Sequence, residues 1–194
     1  MLPVEDTTDY SKSGLTIQYA ILDQMKRFPN KENRPKSIVW DGFKIMTGDK
    51  IAVPQKGIIR GEFINVIGDI EQGFDLKVNG WFELRGGEKV ESLRTWYDAQ
   101  YEPVVQYPFF SKDGVIWGWN VYKMKYPGGQ IVEERWTGNA GFWVEIKNDQ
   151  RIYHCSHGMA YPPNFESLVF KISITPPFSL VEWTNHCPLH VVVL

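Results

Sequence analysis

The chain of 194 residues carries 23 acidic and 21 basic side chains, a formal net charge of −2, with hydrophobic residues at 43% and charged residues at 23%. That size and balance predict one globular domain able to hold its core without metal or disulfide. They exclude a disordered segment and the basic stripe of a nucleic-acid binder. No apolar run reaches the roughly 18 residues of a membrane span, and MLPVEDTTDYSKSG has neither the basic nor the apolar region of a secretory signal. The expectation is therefore a cytoplasmic protein with reduced thiols.

Residues 1–12 read as an extended N-terminal arm. Ser13 is placed to cap a helix over 14–28, with Leu15, Tyr19, Leu22 and Met25 at helical spacing and Pro29 ending it. The cluster KRFPNKENRPK at 26–36 is broken by Pro, Asn and Glu and reads as a solvated connector. From Ser37 the pattern changes to period two. GIIRGEFINVIG puts Ile59, Gly61, Phe63, Asn65 and Ile67 on one face. FDLKVNGWFEL places Phe74, Leu76, Val78, Gly80, Phe82 and Leu84 opposite Asp75, Lys77, Asn79, Trp81 and Glu83. GVIWGWNVYKMK gives Val115, Trp117, Trp119 and Val121 a common face. GFWVEIK turns Phe142, Val144 and Ile146 inward, and SLVFKISI does the same with Leu168, Phe170, Ile172 and Ile174. Turn signals at 47–50, 68–73, 85–88, 112–114, 126–129, 147–150 and 175–177 separate these runs. About ten antiparallel strands of this kind predict an all-β domain over 13–194, and the length of several favours a closed barrel, which removes edge strands. In general shape this is similar to the ligand-binding calycin or lipocalin barrels.

The last 41 residues hold every histidine and both cysteines: His154, Cys155, His157, His186, Cys187 and His190. Strand alternation puts His154 and His157 on opposite faces. Cys155 and His157 share a face but stand about 7 Å apart, too far for a nucleophile and its base. The paired cysteine spacing of a zinc site is absent, so no metal is expected.

Aromatic residues make 14% of the chain, with 8 Trp. Trp117 and Trp119 on one strand face form a flat apolar wall, to which Trp96, Trp136, Tyr153 and His157 are added as ligand-binding candidates. Arg94, Trp96 and Asp98 share a face, as do Glu134 and Trp136. Arg94, Asp98 and Glu134 are the candidates for polarising a substrate.

The nucleotide-binding, nucleophile-elbow and zinc-protease motifs are missing. The expected function is therefore a cofactor-independent one. It is binding of a small apolar or aromatic molecule inside the barrel, extending to an isomerase or cyclase, without nucleic acid or membrane as partner. The alternative is a protein-interaction module, such as an inhibitor or immunity-type protein, anchored by Trp81, Trp143 and Tyr122.

Overall fold

The computed structural model describes residues 5–175 and the backbone of 191–193. One helix, α1 (Ile17–Arg27), precedes twelve strands: β1 (Ile38–Trp40), β2 (Phe43–Ile45), β3 (Asp49–Ala52), β4 (Lys56–Val66), β5 (Gln72–Glu83), β6 (Lys89–Trp96), β7 (Val104–Lys125), β8 (Ile131–Glu134), β9 (Gly141–Lys147), β10 (Gln150–Ser156), β11 (Leu168–Thr175) and β12 (Val191–Val193). The expected all-β, antiparallel class holds. β1 and β2 form a hairpin turned at Asp41 and Gly42, both at positive φ as a two-residue turn requires. The remaining strands form one sheet in the order β12-β6-β5-β7-β4-β11-β10-β9, with β3 and β8 also paired to β7.

β7 organises this sheet. It runs for 22 residues, through the KDG stretch at 112–114 where a turn is predicted. There the Ser111 hydroxyl accepts the Val115 amide at 2.9 Å and donates to the Val115 carbonyl at 3.0 Å. Gly114 supplies a positive φ. The backbone is thus satisfied through an irregularity instead of reversing. Along one edge β7 changes partner from β4 to β3 to β8, while β5 follows its other edge.

The sheet is not closed into a barrel. The one backbone bridge between β9 and the segment before β3 joins Met46 and Phe142, through two hydrogen bonds of 2.8 and 2.9 Å. Beyond that bridge no ladder joins β3 to β9. β3 is four residues long and runs into Pro54 after Val53, which has no amide hydrogen to extend a ladder. A seam is left, crossed by side chains. Asp49 Oδ2 accepts from Arg151 Nε at 2.9 Å and Tyr153 Oη at 2.8 Å, with Arg151 Nη2 in ion-pair contact at 2.8 Å. Ile146, predicted to point inward, is 66% exposed because no strand stands opposite it.

The inner face is filled by rings. Phe74 stacks on Phe170 at 4.8 Å, Phe170 on Tyr153 at 4.6 Å, and Tyr153 meets the edge of Phe142 at 5.4 Å. Ile59, Leu76, Phe82, Leu93, Phe109, Ile116 and Leu168 complete this core, each buried side chain contributing roughly 1.5–3 kcal/mol. The predicted inward residues of β5 and of the β11 run are inward.

α1 departs from the expected orientation. Its cap is Thr16, whose hydroxyl accepts the Tyr19 amide, while Ser13 closes the preceding turn onto the Tyr10 carbonyl. Ile17, Ala20 and Gln24 face inward against Tyr10, Ile38, Trp40 and Ile45. Leu15, Tyr19, Leu22 and Met25 face solvent. Gln24 decides this orientation by donating to the Ser37 carbonyl and to Asp6. The Asn139 carboxamide fixes the helix start by accepting the Ile17 amide at 3.1 Å. The arm is not free either. Asp6 pairs with Arg27 at 2.5 Å, and Asp9 bridges to Val39.

Candidate functional site

Cross-strand register assembles a cluster on the outer face of the sheet. β5 and β6 set Asp75 opposite Arg94, Lys77 opposite Ser92 and Gly73 opposite Trp96. β5 and β7 set Asp75 opposite Trp119 and Lys77 opposite Trp117. β3 adds Lys50 on the far side of Trp117, and β8 adds Glu133 opposite Lys123. Alternation along β7 is as predicted, but its sense is inverted. Ile116, Gly118, Asn120 and Tyr122 face the core, and the tryptophan face looks outward. Trp117 and Trp119 therefore do not wall an interior cavity.

Asp75 is the hub. It is fully buried beneath the cluster. Its Oδ1 accepts from Arg94 Nε at 2.7 Å, and its Oδ2 accepts from Arg94 Nη2 at 2.7 Å and from the Trp119 indole at 2.8 Å. Arg135 approaches the same oxygen at 3.6 Å. Arg94 also donates to Glu133. The Asp75 hydrogen bonds raise the Arg94 guanidinium above its ordinary pKa, against the opposing effect of desolvation. Cations lie over the rings: Arg135 at 5.2 Å from Trp119 and 5.3 Å from Trp136, Lys123 at 4.9 Å from Trp96, Lys50 at 6.0 Å from Trp117. Such contacts hold both the cation and the ring in place. Trp117 is 45% and Trp136 56% exposed, whereas Trp96 is buried.

Five of the sequence-predicted site residues thus gather here: Arg94, Trp96, Trp117, Trp119 and Trp136. The others do not. Asp98 accepts the Gln100 amide in the turn after β6. Glu134 accepts from Thr137, which bonds Tyr122 at 2.5 Å. Tyr153 belongs to the core, where burial and the neighbouring Asp49 raise its pKa well above the ordinary value. His157 lies 6.0 Å from the Tyr122 ring. Its Nδ1 is buried without a partner among the described residues, and burial lowers its pKa. Arg94, Asp98 and Glu134 do not converge on a common point, and the Arg94 donors are already engaged. Asp75, Glu133, Arg135, Lys50 and Lys77 were not singled out from the sequence. The alternation of FDLKVNGWFEL put Asp75 and Lys77 on the outer face, but their partners depend on long-range register.

His154 and Cys155 point to opposite faces. His154 stacks on Trp143 at 3.9 Å and bonds Glu166 at 3.0 Å. Cys155 is fully buried, which raises its thiol pKa well above the ordinary value. Among the described residues no three His, Cys, Asp or Glu side chains group to hold a metal ion. His186, Cys187 and His190 lie outside the described residues. Of the three expected protein anchors, Tyr122 is fully buried and cannot serve. Trp143 is covered by Phe43 at 4.7 Å, and Trp81 is half-buried below Lys89 at 4.2 Å.

A second feature lies at the seam. Ile51, Ala52, Pro54, Ile146, Ile172 and Ile174, with the charged Asp149 and Arg151, line an open groove of about 400 Å³. No described helix is long and apolar enough to cross a membrane. Comparison with known proteins finds no match to this chain among family models, curated sequences or solved structures.

Proposed function

We propose that the chain is a non-catalytic binding module that engages another protein through the tryptophan-bearing outer face of β5, β6 and β7. The observation that carries this reading is the pair of exposed indoles, Trp117 and Trp136, set in a lattice of charge pairs around the buried Asp75. Small-molecule sites are concave, and this face is an open strand surface. Protein interfaces concentrate their energy in a few rigid Trp, Tyr and Arg side chains. Side chains already immobilised lose little further freedom on binding. Trp117→Ser with Trp136→Ser is the test. The expected result is an affinity for the natural partner at least tenfold weaker, about 1.4 kcal/mol, with an unchanged thermal midpoint. Equal affinity in the double variant overturns the reading.

The seam groove favours a second reading, in which a small apolar or aromatic molecule binds between β3 and β9, against Ile172 and Ile174. A titration with an anilinonaphthalene sulfonate dye checks it. Saturable binding at a single site that is lost in Ile172→Asn supports the groove; no binding by the folded protein removes it.

A further inference from the structure

We infer that the partner segment is an acidic polypeptide, and that Trp117 with Lys50 and Lys77 forms its docking point; this rests on the protein-binding reading above. Lys50 and Lys77 are the two direct cross-strand neighbours of Trp117, one on each side. All three side chains are exposed. Three lysines of the fold are matched to carboxylates, Lys44 to Glu5, Lys123 to Glu71 and Lys171 to Glu62; what sets Lys50 and Lys77 apart is their place on either side of an exposed indole. Lys50 and Lys77 form no ion pair among the described residues. Around Trp117 and Trp119, five cations, Lys50, Lys77, Lys123, Arg94 and Arg135, accompany three carboxylates, Asp75, Glu71 and Glu133.

An exposed indole flanked by two ammonium groups that lack a carboxylate partner, Lys50 lying 6.0 Å over its ring, is complementary to a carboxylate-rich segment. An apolar or aromatic side chain of the partner covers Trp117, and neighbouring Asp or Glu side chains meet Lys50 and Lys77. Exclusion of water by the indole contact strengthens the flanking pairs. Single-stranded nucleic acid also combines stacking with cations. It requires a continuous basic track, however, and here Glu71 and Glu133 interrupt the face beside Lys123 and Arg94.

The experiment uses the full chain and a synthetic random copolymer of glutamate and tyrosine, with a lysine–tyrosine copolymer and oligothymidylate as comparators, read by calorimetry and tryptophan fluorescence. The glutamate–tyrosine copolymer is expected to bind saturably, and the lysine–tyrosine copolymer is not. Lys50→Glu with Lys77→Glu weakens binding at least tenfold, as does raising sodium chloride from about 50 to about 500 mM, since exposed charges are screened. Lys26→Glu with Lys31→Glu, two exposed cations on and after α1, leaves it unchanged. Failure of the acidic copolymer to bind, equal weakening by the control pair, or preference for oligothymidylate overturns the inference. Failure of the two proposals is distinguishable with the same polymers. If Trp117→Ser with Trp136→Ser abolishes their binding while the lysine reversals and salt do not, the interface stands and its acidic partner does not.

Discussion

Asp75 receives two parallel hydrogen bonds from Arg94 across the β5–β6 ladder, and the Trp119 indole closes its exposed flank. The carboxylate has no access to water. Arg94→Met leaves this charge buried with only the Trp119 indole and Arg135, at 3.6 Å, to answer it. Removing one partner of a buried pair costs about 3–5 kcal/mol, whereas replacing both by apolar residues is often near neutral. Urea unfolding is expected to show that loss for Arg94→Met and recovery of most of it in Asp75→Leu with Arg94→Met. A single variant within about 1 kcal/mol of the parent chain contradicts this account.

Gly158 holds together the corner where α1, the 137–140 loop and β7 meet. A Cβ there would lie 1.9 Å from the Tyr122 hydroxyl and 2.4 Å from the Thr137 carbonyl. The Asn139 amide also donates to the Gly158 carbonyl at 3.0 Å. Gly158→Ala therefore pushes Tyr122 from Thr137 and lowers stability by roughly 1–3 kcal/mol, the usual cost of overpacking. Thermal denaturation reads this, and an unchanged midpoint refutes it.

Two groups set an acid limit on the fold. His157 has its pKa lowered by burial, so the folded state favours the neutral ring. The unfolded chain takes up a proton first as pH falls below the ordinary histidine range near 6.5. The stability held by neutral His157 is complete above that value and is lost as pH falls through the lowered one. The Tyr122 ring lies 6.0 Å from the His157 ring and is linked through Thr137 to Glu134. His157→Phe is expected to flatten the stability profile between about pH 7 and 5. Burial raises the Asp6 carboxyl, but hydrogen bonds from Arg27, Thr8 and Gln24 prevail and hold it at about 2, down from 3.8. Its contribution is present above the unfolded value and disappears as pH falls toward 2; Asp6→Asn removes that second decline. Identical acid profiles in parent and variants contradict both assignments.

Cys155 is expected to be inert while the chain is folded. It is wholly buried with a raised thiol pKa, and the thiolate is the reactive form. In a Cys187→Ser chain, a thiol reagent is expected to label Cys155 only at the rate of unfolding, accelerating with denaturant. Rapid stoichiometric labelling in native buffer shows instead that the site is open.

Much of the fold is legible in local pattern. Two-residue alternation places Phe74, Leu76, Phe170 and Ile172 correctly, because each strand has one wet and one buried face. The same pattern leaves the sense of β7 open. Trp117 and Trp119 alternate with Ile116 and Gly118, and hydropathy favours the indoles as the inner set. The outcome is reversed because Gly118 and Asn120 face the buried side, while Asp75 and the cations offer the indoles polar and π contacts outside. α1 illustrates the same limit. Its more apolar stripe is outside, since Gln24 must reach Asp6 and Ser37. KDG at 112–114 reads as a turn, yet the Ser111 hydroxyl satisfies the backbone and β7 continues. Pairings such as Arg94 with Asp75, or Asp49 with Arg151, join residues far apart in the chain and depend on register that no single strand encodes.

The slit between β3 and β9 gives the sheet a weak line. Apart from the bridge at Met46 and the Phe43–Trp143 stack, one oxygen of Asp49 fastens it, through two hydrogen bonds and an ion-pair contact. Cutting that fastening in Asp49→Ala frees the two flanks without breaking a ladder. The chain then unzips along its length there first, and its amides in β9 exchange with solvent ahead of those in β4, β5 and β7. The edge so released is guarded from self-pairing by Glu145 and Lys147, with the bare Ile146 between them.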